Sequence, residues 1–161
     1  MNALKFAVSH KNKHTKVLVD PSTKADKKTI WMIANSDYPI IPHEFLDDFD
    51  PNAEKNDNLK KIYKICKKPI IVTLGDKGAL VYNGKKKIIP AYKVKVLDKL
   101  GAGDIFRAGF AWGILNDFSL EKSIICANAV AALQCTKYGN GSAIPEKKKI
   151  LKIFEKVGLK M

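Results

Sequence analysis

The run Pro69-Ile70-Ile71-Val72-Thr73-Leu74 constrains this chain more than any other stretch. It is short, nearly all apolar and closed by the turn residues Gly75-Asp76-Lys77-Gly78, so it reads as a central strand of a sheet covered on both faces. Such a strand needs elements packed above and below it, and the flanking patterns supply them. Before it, Lys16 to Asp20 reads as a buried strand ending at Pro21-Ser22, and Lys24 to Asn35 as a short helix. Tyr38 to Ile41 is a second strand, weakened by Pro39. Asn52 to Lys68 places Leu59, Ile62, Tyr63 and Cys66 at helical spacing. After it, Ala79 to Tyr82 and Lys85 to Pro90 form a hairpin around Asn83-Gly84, and Tyr92 to Leu97 alternates as a further strand with one wet face. Three helices close the chain: Asp104 to Asn116, Leu120 to Thr136 and Glu146 to Val157. Strands alternating with helices predict an α/β sandwich with a mainly parallel sheet, folded as a single domain over residues 1–161, and such folds bind ligands at the carboxyl ends of their strands.

Composition removes several classes of function. With 161 residues, 46% of them hydrophobic, the chain has enough apolar content for one core, which argues against disorder. No apolar run approaches the roughly 18 residues of a membrane helix, and Met1-Asn2-Ala3-Leu4-Lys5 lacks the apolar core of a signal peptide, so a cytoplasmic protein with no membrane contact is expected. The formal charge is +13, from 29 basic residues against 16 acidic ones. Arg107 is the single arginine, and the basic residues are spread evenly, fourteen before position 81 and fifteen after it. Scattered lysine describes a solvated surface rather than a nucleic-acid face, so no nucleic-acid partner is expected. Cys66, Cys126 and Cys135 lack CxxC spacing and lie in apolar stretches, which speaks against a disulfide framework or a zinc site.

The stretch that carries chemistry is Leu97-Asp98-Lys99-Leu100-Gly101-Ala102-Gly103-Asp104-Ile105-Phe106-Arg107. A glycine-bounded loop here runs into a helix, so several backbone N–H groups converge where the helix dipole favours negative charge. Gly101 and Gly103 let the backbone approach a ligand closely, which describes a cradle for an oxyanion or phosphate. Asp104 sits beside that cradle, where a general base could take a proton from a bound hydroxyl, and it could equally be a helix cap. A dinucleotide GxGxxG would need glycine where Phe106 stands, and no GxxxxGK[ST] loop is present.

Asp98 to Asp104 resembles the DTxGAGD signature of the ribokinase (PfkB) family of carbohydrate kinases. Val72 to Ala79 resembles the family's strand and turn beside the nucleotide, and Ala127 to Gly139 resembles its adenine-side helix and loop. The resemblance implies a three-layer ribokinase-like fold and phosphoryl transfer from ATP, with Mg2+, to a hydroxyl of a sugar or related small molecule. It implies Asp104 as the catalytic base and the amides of Gly101, Ala102 and Gly103 as the anion hole. Thr73, Gly75, Gly78, Asn128 and Gly139 would bind the nucleotide, and Asp98 and Ser142 would serve a monovalent cation such as K+.

Departures from the family pattern are equally specific. Lys99 replaces the usual threonine and adds positive charge near the expected cation. The NxxE element should fall near Ile41 to Phe45, where Pro42 and Phe45 occupy the asparagine and glutamate positions, with Glu44 one residue away. The chain resembles the C-terminal half of the family only, lacking the N-terminal strands, the lid and most of the sugar-gripping residues. A truncated nucleotide-binding or partner-binding module is therefore the alternative to a kinase, and exposed apolar surface would favour a homo-oligomer or a separate N-terminal half. Arg107, one turn into the helix after Asp104, could reach a phosphate or an acidic substrate group, or form a structural salt bridge. His10 and His14, flanked by lysines, read as a solvated segment. Trp31 and Trp112 read as core residues.

Overall fold

The computed structural model describes residues 2–139, 141 and 143–159. They form two compact units, one running to residue 74 and including 80–88, the other made of 75–79 and 89 onward. Five strands lie in the order β1 (Leu18–Val19), β2 (Tyr38–Pro42), β3 (Ile70–Thr73), β4 (Ala79–Tyr82) and β5 (Lys86–Ile89). β1 pairs with β2 and β2 with β3 in parallel, in a sheet that is mostly parallel overall. The α/β expectation holds, and β3 is central as its apolar run requires. Ile70 and Val72 point into one core cluster while Ile71, between them, is just as completely buried, so both faces of β3 are covered.

In the first unit the helices are α1 (Asn2–Ser9), α2 (Lys27–Ala34), α3 (His43–Phe49) and α4 (Lys55–Cys66). Ile33 of α2, Phe45 and Leu46 of α3, and Leu59, Ile62 and Cys66 of α4 pack with Ile41, Ile70 and Val72 of the sheet. α2 starts three residues later than expected, because Asp26 accepts the N–H groups of Lys28 and Thr29 while the Thr29 hydroxyl receives the Asp26 N–H. Asn58, fully buried on α4, donates to the carbonyls of Leu46 and Asp50 at 2.8 Å each and so ties α3 to α4. Pro39 does not displace β2 from the sheet interior. It stands opposite Val19, the last residue of the two-residue β1, where the ladder is ending and a missing donor matters little. α1 and α3 were not foreseen; α1 has no buried residue, so no apolar face marks it.

In the second unit α5 (Ala102–Leu115), α6 (Leu120–Gln134) and α7 (Lys147–Lys156) match the three expected helices within two residues at each end. The expected strand Tyr92 to Leu97 is not formed. Alternation there registers half-burial of Tyr92 and Val94, but the segment has no ladder partner, and the Leu97 N–H donates to the Cys135 carbonyl instead. α5 and α6 run antiparallel in close contact. A Cβ on Gly113 would lie 2.8 Å from the Cα of Ser123, and one on Gly109 would lie 2.4 Å from Val130 Cγ2 and 3.1 Å from the Cα of Ala127. The Cys126 thiol donates to the Gly109 carbonyl at 3.3 Å, and burial pushes its pKa up to about 12, so it behaves as a small apolar group. Trp112, half-buried, packs edge-on to Phe118 and against Phe154 of α7 at the margin of the core rather than inside it. Trp31 is only half-buried. Among the described residues no helix is long and apolar enough to cross a membrane.

Because backbone atoms block both glycines, Gly113→Val must push α5 from α6. It is expected to destabilise the fold by roughly 2 kcal/mol or more, read as a lower urea midpoint at unchanged slope.

Candidate active site

The glycine loop opens α5 without a side-chain cap. Gly101 occupies the N-cap at φ +76°, a left-handed conformation that glycine enters without steric penalty. The Ala102 N–H closes a turn onto the Lys99 carbonyl at 3.2 Å, and the Ile105 N–H donates to the Gly101 carbonyl at 3.0 Å. Between them stand the N–H groups of Gly103 and Asp104, the leading donors of the helix, where its partial positive charge is concentrated. Asp104 lies on the first turn of α5 rather than at the cap, with its side chain 68% exposed. Its Oδ1 accepts from Arg107 Nη2 at 2.5 Å, and the Arg107 side chain is 29% exposed. Ion pairs this open to water contribute about 0.2–1 kcal/mol, so stability alone does not account for the arrangement.

Three interactions join the residues before α5 to the end of α6. The Asp98 carboxylate accepts the Leu100 N–H at 3.0 Å through one oxygen and the Gly139 N–H at 2.9 Å through the other. The Cys135 carbonyl receives the N–H groups of Leu97 and Asp98. Gln134, 1% exposed, donates from Nε2 to the carbonyls of Leu100 at 3.3 Å and Gly139 at 3.4 Å. Gln134 was not singled out from the sequence, although an amide between Leu133 and Cys135 on a buried helix face is a signal of such bridging. The N–H donors of Leu100, then Gly139, hold the Asp98 carboxyl below the ordinary carboxylate range. Lys99, in the family's threonine position, uses its carbonyl for the Ala102 turn.

The remaining expected residues separate into two kinds. Gly75, at φ +61°, and Gly139, at φ +85°, adopt conformations that disfavour a side chain, and the space around Gly75 is open. Gly78 is a packing glycine, since its Cβ would fall 2.2 Å from the Ile89 carbonyl oxygen. Asn128, 7% exposed, donates to the carbonyls of Ile89 and Pro90 at 3.1 and 3.0 Å, so its amide hydrogens hold the chain after β5. Thr73 ends β3, half-buried and opposite Pro42. Ser142 lies outside the described residues. Phe45, expected from the resemblance in the glutamate position, is completely buried in the first unit's core, and Glu44 beside it is exposed, with Oε2 3.3 Å from His43 Nδ1. His10 stacks on Phe6 and contacts its carbonyl, and among the described residues no group of three or more His, Cys, Asp or Glu could hold a metal ion.

A mostly parallel α/β sheet, with a glycine turn that leaves a helix N-terminus uncapped beside an aspartate, defines the class of protein to which known chains can be compared. The pfkB family carbohydrate kinase model matches residues 2–147, and the chain belongs to that family. It is 36% identical to the ribokinase of Lactococcus lactis subsp. lactis over 133 residues, which cover 81% of this chain and 42% of the relative. The crystal structure of ribokinase from Thermotoga maritima is similar with a TM-score of 0.82 at 28% identity, over 95% of this chain and 52% of that one. The structure of Arabidopsis thaliana ribokinase complexed with ribose and ATP is similar in fold, with a TM-score of 0.79 at 23% identity, over 94% of this chain and 51% of that one. The chain thus spans about half the length of the solved relatives and less of the curated one.

The Asp98 contacts set a pH dependence. A carboxyl whose folded pKa is depressed adds stability above the ordinary value of 3.8 and loses it as pH falls through the folded value. Thermal melts of wild type and Asp98→Asn are therefore expected to differ most above pH 4 and to converge as the solution is acidified below it.

Proposed function

We propose that this chain performs ATP-dependent phosphoryl transfer to a hydroxyl of a sugar or related small molecule. The observation that carries the reading is the uncapped start of α5, with the N–H groups of Gly103 and Asp104 and the Asp104 carboxylate on one helical turn. In this reading the carboxylate takes the proton of the acceptor hydroxyl, and the leading amides, in the loop made by Gly101 and Ala102, hold the negative charge of the transferred group. ATP with Mg2+ supplies the phosphoryl group, and the open amide cradle fits its phosphates. Gly75 and Gly139 would let the backbone lie close to the nucleotide, while Gly78 and Asn128 act as supports. The Arabidopsis relative complexed with ribose and ATP lends support to this donor and class of acceptor. In this reading Asp98, whose oxygens each accept one backbone N–H and keep a further lone pair, would with Ser142 serve a monovalent cation such as K+.

Asp104→Asn is expected to abolish phosphotransfer while leaving ATP affinity within a few-fold, measured by coupled assay and by calorimetry. Full activity in the mutant removes Asp104 as the base.

A second reading is a nucleotide-binding or partner-binding module. Such a module would bind ATP saturably yet turn over no acceptor in a panel of sugars, and detectable phosphorylation of a single sugar excludes it.

A further inference from the structure

Arg107 is the one arginine of the chain, and its guanidinium lies on the mouth of α5. Nη2 pairs with Asp104 Oδ1, and Nη1 lies 3.5 Å from the position a Cβ on Gly103 would occupy. Arg107 stands beyond the first turn of α5, where the helix dipole has little hold on it, and an i,i+3 pair with so exposed a carboxylate adds little to helix stability. An unpaired carboxylate on the same turn would repel any polyanion approaching the Gly103 and Asp104 amides. On the phosphotransfer reading, we propose that Arg107 is a positioning residue that cancels the Asp104 charge and fixes its carboxylate, so that nucleotide phosphates can settle on the start of α5. A planar guanidinium suits this role because its donors fix a carboxylate's orientation as well as its charge, which an ammonium does not.

The test is a double-mutant cycle read by calorimetric titration with ATP in the presence of Mg2+, which needs no turnover. Arg107→Met is expected to weaken ATP binding about tenfold, the order for one unit charge acting over a few ångströms at a partly solvated site. In an Asp104→Asn background, where there is no charge to cancel, the same substitution is expected to change affinity by no more than about twofold. Arg107→Lys, which keeps the charge but not the fork of donors, is expected to restore affinity to within about threefold of wild type, because ATP binding responds to the cancelled charge and not to the carboxylate's orientation. Equal losses in the two backgrounds would show that Arg107 acts on the phosphates independently of Asp104, by contact or by its charge alone, and overturn the proposal, as would no loss in either or failure of the lysine variant to restore binding. A wild-type chain that takes up no ATP overturns the phosphotransfer reading and this proposal together; the other adverse outcomes overturn this proposal alone.

Discussion

The close approach of α5 and α6 is the constraint on which the candidate site rests. Gly109 and Gly113 remove the side chains that would hold the two helices apart, and the antiparallel alignment that results sets the start of α5 beside the end of α6. Only at that separation can the Asp98 carboxylate span from the Leu100 N–H to the Gly139 N–H, and Gln134 reach two carbonyls at once. The loop ahead of α5 is therefore held by hydrogen bonds to a packed helix rather than by its own turn chemistry. A site made of backbone amides depends on such support, because amides have no rotamers with which to recover a lost position.

The electrostatics follow from the same geometry. An uncapped helix start concentrates partial positive charge on the Gly103 and Asp104 amides, and Asp104 adds a full negative charge on the same turn. Arg107 meets that charge from three residues along the helix. The carboxylate nearby, Asp98, is engaged by backbone donors instead, which hold its carboxyl below the ordinary carboxylate range. Two aspartates six residues apart thus have different surroundings: one is exposed and paired with Arg107 of its own helix, the other is fixed between two loops.

Membership of the pfkB family rests on a match to nearly the whole chain, while the chain itself spans about half of its solved relatives. The departures are consistent with a site that differs in detail from the family pattern. Phe45, which the resemblance sets against a family glutamate, is buried in the core, and the Lys99 side chain is exposed while its carbonyl accepts the Ala102 N–H. In the glycine loop Gly101 is left-handed and the carbonyl of residue 99 accepts the Ala102 N–H.

What could be read from the sequence were features that depend on near neighbours. The apolar run at Pro69 to Leu74, the hairpin at Asn83-Gly84 and the three late helices are set by local periodicity and turn chemistry, and the glycine loop ahead of Asp104 announces a helix start open to an anion. The alternation at Tyr92 to Leu97 was misleading because alternation reports half-burial, whereas a strand also needs a neighbour with free hydrogen-bonding groups, and none pairs with this segment. α1 was missed for want of any buried face, and the bridging by Gln134, the support role of Asn128 and the partner of Arg107 were equally hidden. Each of these depends on which distant carbonyl, amide or carboxylate arrives within about 3 Å of a side chain, and that is decided when the helices pack. The sequence by itself determined the strands, the helices and the open helix start; only the tertiary structure decided which polar groups hold that start in place and which charge faces Asp104, because those distances exist only after packing.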